Sequence, residues 1–140
     1  MRITDNIPDK TLSASVIAKY SKRSIPWLRK KAGEVFKAWI RERDKDQPCI
    51  SCGSYSTKQA GHYYSAGHYP ALEFDPDNVH GQCVRCNLYL SGNLTEYRKG
   101  LLKKIGSDGL KNIDIKAGYF KKHGYKHDRF NLIEIITRYK

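Results

Sequence analysis

The sequence contains no long hydrophobic run. Nothing in its 140 residues approaches the roughly 20 consecutive apolar residues that a membrane-spanning helix needs. The first ten residues, Met1 to Lys10, are polar and lack the charged start and apolar centre of a secretory signal peptide. These absences exclude a membrane-spanning protein and argue against a secreted one, so we expect a cytoplasmic protein whose thiols stay reduced.

Apolar residues in general are sparse. Hydrophobic residues make up 39% of the chain, and the mean hydropathy is −0.68. A chain of 140 residues suits one domain, but this composition leaves it only a modest apolar core. A bound metal ion would therefore add stability that a larger core supplies in other proteins.

Negative charge is scarce as well. The chain has 26 Lys and Arg against 14 Asp and Glu, a net charge of +12. Residues 19–45 carry ten basic against three acidic residues, residues 98–140 carry twelve against four, and residues 46–97 carry two against five. A uniformly basic protein would not spare its centre in this way. The pattern predicts a nucleic-acid partner held by the two flanks, with a separate working centre between them.

Cysteine occurs four times, in two C-x-x-C pairs: Cys49 with Cys52, and Cys83 with Cys86. Two such turns supply the four thiolates of a tetrahedral structural zinc site, which is the favoured interpretation for a reduced compartment. Two disulfides are the alternative. A catalytic zinc is disfavoured because four thiolates leave no open position. The 30 residues from Gly53 to Gln82 exceed what a minimal zinc ribbon needs, so further structure is expected there.

The pattern along the chain predicts an α+β fold that is mainly helical. We divide it into a weakly ordered lead-in over residues 1–23 with a short helix at 13–20, a central region over 24–106, and a C-terminal helical extension of the same domain over 107–140. The predicted elements are a helix capped by Ser24, strands at 58–63 and 79–82, a helix from Arg85, a helix with an Asn93–Glu96 capping box that Gly106 stops, and a helix at 129–139.

The residues between and after the cysteine pairs resemble the HNH nucleases, whose core is a ββα-metal motif. His62 ends the first predicted strand, Asn78 opens the second, and Asn87 directly follows Cys86. The resemblance implies that His62 activates water, that Asn78 shapes the loop between the strands, and that Asn87 binds a divalent metal at the scissile phosphate. This chemistry is reasonable in itself, since neutral imidazole accepts a proton from water and a cation offsets charge on the leaving oxygen.

One position departs from that family. Many HNH nucleases place an Asp directly before the histidine as a second metal ligand, and this chain has Gly61 there. His80 is the first candidate to complete the metal shell, so the predicted catalytic residues are His62, Asn78, Asn87 and His80. Glu73 and Asp75 are weaker candidates for the shell, and His68 either contacts DNA or has no role.

A closer resemblance, over about residues 25–106, is to the phage NinG/Rap recombination nucleases. It rests on Phe36-x-x-Trp-Ile-Arg-Glu-Arg-Asp44, Pro-Cys-Ile-Ser-Cys-Gly53, Ala-Gly-His62-Tyr, Asn78-Val-His-x-Gln-Cys-Val-x-Cys-Asn87 and Leu90-Ser-Gly-Asn-Leu-x-x-Tyr-Arg98. It implies an endonuclease that uses Mg²⁺ or Mn²⁺ to cut branched DNA such as Holliday junctions and D-loops, in the bacterial cytoplasm if phage-encoded. Symmetric junction cutting would suggest a homodimer.

Basic residues on the flanking helices are the expected phosphate contacts. They are Lys30, Lys31, Lys37, Arg41, Arg85, Arg98, Lys103 and Lys104. No segment has the pattern of a base-reading helix, so DNA shape should matter more than sequence. Two other hypotheses stay open: a zinc-stapled nucleic-acid-binding protein without activity, and a sequence-specific HNH homing or restriction nuclease.

Overall fold

The computed structural model describes residues 12–56 and 58–140, and it contains four α-helices and one two-stranded antiparallel sheet. The helices are α1 (Ala14–Tyr20), α2 (Ile25–Arg43), α3 (Leu94–His123) and α4 (Arg129–Tyr139). The strands are β1 (Lys58–His62) and β2 (Val79–Cys83), with a 3₁₀ turn at Pro70–Leu72 and a π-helical turn at Arg85–Tyr89. The mainly helical α+β class and both strands are confirmed. Residues 1–11 of the predicted lead-in lie outside the described residues.

The main hydrophobic core lies between α2 and α4. Ser24 caps α2, since its Oγ accepts a hydrogen bond from the backbone N–H of Trp27 at 3.2 Å. The buried side chains recur at helical spacing in both helices: Leu28, Ala32, Phe36 and Ile40 in α2, and Leu132, Ile133, Ile136 and Tyr139 in α4. Helices α1 and α4 also pack together. Separately, none of the helices in the described part of the chain is both long and apolar enough to cross a bilayer.

Helix α3 breaks helical geometry at Gly106, where the sequence predicted its end, and it differs from the prediction at Asn93 and in its continuation beyond Gly106. Gly106 has φ 76°, so it kinks the helix, but helical geometry resumes at once and continues to His123. Asn93 precedes the helix in the left-handed region, at φ 43°, and makes no side-chain cap; the predicted capping box is therefore wrong. Its amide instead donates to the Sγ of Cys86 at 3.5 Å, so the side chain of Asn93 contacts the cysteine cluster.

The sheet is fixed to α2 by a buried carboxylate. Strands β1 and β2 pair with His62 opposite Val79. Asp44, directly after α2, is 1% exposed and accepts a hydrogen bond from the backbone N–H of Gly81 at 2.7 Å. Arg43 donates two hydrogen bonds to the same carboxylate, both at 2.8 Å. The end of α2 thus sets the position of the strand that leads into the second cysteine pair.

The segment after β2 is a single π-helical turn, where the sequence predicted the start of an ordinary helix. The backbone N–H of Leu90 donates to the carbonyl of Arg85 at 2.8 Å, a five-residue spacing that places Cys86 and Asn87 inside one wide turn. Ser91 follows at φ 50° and Gly92 at φ 92°, which ends the turn. The helix of the expected ββα motif is therefore reduced to this turn.

Candidate metal centre and catalytic cleft

The four cysteines converge. The Sγ atoms of Cys49, Cys52, Cys83 and Cys86 all lie within 4.8 Å of one another, and none of them forms a disulfide. Zinc–sulfur bonds of about 2.3 Å in a tetrahedron separate the sulfur atoms by about 3.8 Å. The sulfur atoms of Cys52 and Cys83 are 3.7 Å apart. The cluster therefore has the size, the number and the type of ligands that a structural zinc ion requires.

Local backbone geometry brings each pair of thiols into the cluster. The first turn closes through the backbone N–H of Gly53, which donates to the Cys49 carbonyl at 2.9 Å with Gly53 at φ 78°. In the second turn, the backbone N–H of Cys86 donates to the Sγ of Cys83 at 3.4 Å. The N–H of Cys83 in turn donates to the Sγ of Cys49 at 3.3 Å. Such N–H donors stabilise thiolates, so the site suits a cation.

His62 is held in one orientation by the backbone. Its Nε2 lies 2.9 Å from the carbonyl oxygen of Glu73. A carbonyl can only accept, so Nε2 carries the proton in the neutral ring and Nδ1 keeps its lone pair. Burial lowers the pKa of His62, the Glu73 carbonyl opposes this, and the charge of Lys37 lowers the pKa further. The ring is therefore neutral at pH 7 and able to accept a proton.

Asn78 shapes the loop between the strands. Its side chain is fully buried, and its Nδ2 donates to the carbonyls of Tyr64 and Leu72, both at 3.0 Å. Its Oδ1 accepts from the backbone N–H of Tyr64 at 2.8 Å. One amide thus joins the two ends of the loop 63–78 and determines where Glu73 meets His62.

Asn87 and His62 line the same cleft, of about 350 Å³, which we call the His62 cleft. Asn87 donates its Nδ2 to the Oε1 of Gln59 at 2.8 Å, and this leaves its amide oxygen free of protein partners among the described residues. The other polar residues of this cleft include Lys37, Ser65 and Ser91. None of the described residues lining it is acidic. A hard cation here would take one amide oxygen from the protein and its remaining ligands from phosphate and water.

The position before His62 has no room for an acidic ligand. Gly61 is buried, and a Cβ built there would collide with the side chain of Gln82. His80 does not fill this role either, because it pairs with Gly61 across the sheet and is 1% exposed. Its Nε2 donates to the Asp77 carbonyl at 2.8 Å, and its Nδ1 is 3.1 Å from Arg43. The structure thus does not bring His80 to the His62 cleft.

The carboxylates suggested for the shell are also engaged elsewhere. Glu73 binds Arg29 through two nitrogens, the closer at 2.8 Å, and Asp75 binds Lys116 at 2.8 Å. Glu73 nevertheless matters through its main-chain carbonyl, a role that its residue type does not reveal. The remaining histidine of the loop, His68, is exposed and its Nδ1 lies 3.1 Å from the Oγ of Ser65.

Most of the basic residues predicted to contact phosphates are accessible. Exposed and without an ion pair in the described ranges are Lys30, Lys37, Arg41, Arg85 and Lys103, while Lys31 is half-buried. Arg98 binds Asp114 at 2.7 Å but remains 45% exposed. Lys104 differs from the prediction: it is 15% exposed, lies 2.9 Å from Asp44, and has a pKa that burial lowers to about 8. Its contact is with the buried carboxylate, so it is not available for DNA.

Several known proteins are similar to this chain in sequence. A family model described as the bacteriophage lambda NinG protein matches residues 13–140. The chain is 47% identical over 90 residues to protein ninG of Escherichia phage 933W, and 46% identical over 90 residues to that of Escherichia phage lambda. Protein ninG of Salmonella phage P22 is 47% identical over the same length.

These matches cover 63% of this chain and 44% of each relative, so the chain spans less than half the length of the curated relatives it matches. No solved structure is significantly similar. Because the family model covers most of its length, the chain belongs to the NinG family.

Proposed function

We propose that this NinG-family protein is a divalent-metal-dependent endonuclease that cuts branched DNA recombination intermediates such as Holliday junctions and D-loops. The observation that carries the proposal is the pairing of two groups in one cleft. His62 presents a free Nδ1 because its Nε2 is bound to the Glu73 carbonyl, and Asn87 presents a free amide oxygen. A base at the end of β1 and a hard-metal ligand in the π-helical turn supply the two functions that phosphodiester hydrolysis needs.

His62 would act as the general base. Its Nδ1 takes a proton from a water molecule, the water oxygen bonds to phosphorus, and the sugar oxygen on the opposite side of the phosphorus leaves. The hydrogen bond to the Glu73 carbonyl fixes the ring plane and stabilises the imidazolium that forms. Lys37, which lines the same cleft, would bind a non-bridging phosphate oxygen.

A divalent cation, Mg²⁺ or Mn²⁺, would be held by Asn87 and would offset the negative charge that develops on the leaving oxygen. The cleft provides no carboxylate among its described residues, which suits an ion that keeps most of its waters. A zinc ion in the cysteine cluster would do no chemistry. It would fix the π-helical turn, and with it Asn87, against the strand that ends at His62.

Cleavage of a synthetic four-way junction with and without Mg²⁺ tests the proposal. His62→Ala should reduce the cleavage rate by roughly 100- to 10,000-fold, as expected for loss of a general base. His68→Ala is the matched control, because His68 lies in the adjoining loop, does not line the His62 cleft, and within the described residues its ring bonds Ser65. The rate should fall as the pH drops through the pKa of His62, which burial lowers below the ordinary imidazole value, and it should be level near neutrality.

Three outcomes separate the hypotheses. Wild-type protein that binds junctions but cuts no branched DNA with any divalent metal would support a purely binding role and remove the nuclease proposal. Equal rates for His62→Ala and wild type would remove His62 as the base. Cutting of linear duplex at one defined sequence, at least as fast as junction cutting, would indicate a sequence-specific nuclease instead.

A further inference from the structure

A second groove opens on the other side of His62. It lies between α2 and the loop 63–74, has a volume of about 680 Å³, and shares Lys37, His62 and Ala66 with the His62 cleft. We call it the α2 groove. Because the two cavities meet at the candidate base, a polymer lying in the His62 cleft has a continuous path into the α2 groove.

Gly33 lies in the wall of this groove, in the interior of a 19-residue helix. Glycine is disfavoured at such a position relative to alanine, since it costs more backbone entropy on folding. Nothing within the described chain requires it: a Cβ built at Gly33 meets no atom within 4 Å, and its φ is not in the left-handed region. The missing side chain leaves room for something outside the chain.

The charges around Gly33 favour an anion. Lys30 and Lys37 lie three residues before and four residues after it, on the same face of α2, and both line the groove. They form no ion pair within the described residues, whereas the other cation in the wall, Arg29, is paired with Glu73. Among the described residues of the wall, Glu34 is the one carboxylate without an ion pair, so the two unpaired lysines leave a net positive charge.

The spacing of the two lysines matches a nucleic-acid strand. Seven residues of α-helix rise about 10.5 Å, close to the rise of about three nucleotides at 3.4 Å each. Glycine is also the residue that permits a foreign backbone to approach most closely. The wall therefore presents two lysine side chains, with the side-chain-free position Gly33 between them on the helix.

We propose that the scissile strand continues from the His62 cleft along the α2 groove, with phosphates on Lys30 and Lys37 and its sugar-phosphate backbone closest to α2 at Gly33. The inference rests on the proposed function, since it assigns the path of that function's substrate. It makes Gly33 a positioning residue, required for the space it leaves and not for any contact of its own.

The test compares Gly33→Gln with Gly118→Gln. Gly118 is the matched control, because it also lies inside a helix, is exposed, and has no atom within 4 Å of a built Cβ, yet it lines neither cavity. Both variants replace glycine by a better helix former and should unfold at or above the wild-type temperature. Junction affinity is measured by fluorescence anisotropy without Mg²⁺, and cleavage is measured with Mg²⁺.

Gly33→Gln should weaken junction binding at least tenfold and raise KM while kcat changes little, and Gly118→Gln should match wild type. If Gly33→Gln binds junctions with wild-type affinity and KM, or if both variants lose affinity equally, the groove assignment is overturned while the nuclease proposal stays intact. If wild type binds without cutting, the nuclease proposal fails and the affinity difference between the two variants still decides the groove. Wild-type protein that neither binds nor cuts junctions removes both.

Discussion

Two regions of the molecule are stabilised by opposite means. The helical body, formed by α2 and α4, buries aromatic and aliphatic side chains, with Phe36 packing edge-on against Tyr139 at 4.9 Å between ring centres. The cysteine knuckle, residues 49–54 and 83–93, has a buried cluster in which the described residues are Cys49, Cys83 and Cys86. The first region can be ordered by the hydrophobic effect, whereas a metal ion held by the thiols would contribute to the order of the second.

The candidate site lies where these regions meet. His62 receives its orientation from the Glu73 carbonyl, and the Glu73 side chain is bound to Arg29 of α2. Asn87 belongs to the knuckle, one residue after Cys86. Base and metal ligand are therefore held by different regions, so a change in one region should move one half of the site and spare the other. The predictions below use this difference.

Loss of the metal should have the largest effect. If the cysteine cluster holds zinc, Cys86→Ala should lower the zinc content well below one ion per chain and remove the stabilisation that metal binding contributes, about 10 kcal/mol or more at structural zinc sites. Native-state hydrogen exchange should then show that β2 and the π-helical turn lose protection, while α2 and α4 keep theirs. Elemental analysis and exchange on the same samples measure both quantities.

Cys52→Ala serves as the milder companion variant, because Cys52 is exposed whereas the other three cysteines of the cluster are buried. It should reduce zinc affinity in the same direction with less damage to packing. Protein that contains no zinc when purified under reducing conditions, or an equal loss of protection in α2 and in β2 on chelation, would contradict the division into two regions.

An intermediate loss of stability is expected at Asp44, which connects the end of α2 to strand β2. Asp44→Asn removes the charge that Arg43 and Lys104 share, and it leaves both cations buried without compensation. Burial alone would raise the pKa of Asp44, but these two cations hold it well below its usual range. Breaking such a buried network costs about 3–5 kcal/mol, which urea denaturation should detect as a lower midpoint.

Asp46→Asn is the control for charge alone, since Asp46 is exposed and two residues away. Surface changes of this kind alter stability by less than about 0.5 kcal/mol. The Asp44 variant should retain its zinc, because Asp44 contacts Gly81 of the sheet and no cysteine. A loss of stability no greater than that of Asp46→Asn would show that the two regions do not depend on this carboxylate.

The same contrast explains what the sequence could and could not predict. Periodic apolar residues and the Ser24 cap defined α2, and the C-x-x-C spacing defined the cluster, because both signals are local in the chain. The π-helical turn was missed, since the local pattern also fits an ordinary helix, and the partners of Cys83 and Asn87, which are Cys49 and Gln59, lie far away in sequence. Lys104 was assigned to DNA because nothing near it in sequence indicates Asp44, which lies far back in the chain.

The smallest effect concerns the contact between Glu73 and the helical body, and it depends on pH. Burial alone would raise the pKa of the Glu73 carboxyl, but the His127 ring at 3.5 Å and Arg29 at 2.8 Å outweigh it and lower the pKa to about 2. This value lies below the unfolded pKa of about 4.3, so the contribution to stability is complete above that pH and is lost as the pH falls towards 2. Since Arg29 is 44% exposed and solvent screens the pair, we expect only about 1 kcal/mol.

Glu73→Gln should therefore lower the free energy of unfolding at pH 7 by that amount, and its stability should change less than that of wild type between about pH 4 and pH 2. Urea denaturation at several pH values measures both. The substitution keeps the main-chain carbonyl that orients His62, so junction cleavage at neutral pH should persist in the folded protein. An unchanged acid dependence would mean that Glu73 does not anchor the loop to α2. Loss of cleavage with stability intact would mean that the side chain, and not only the carbonyl, positions the base.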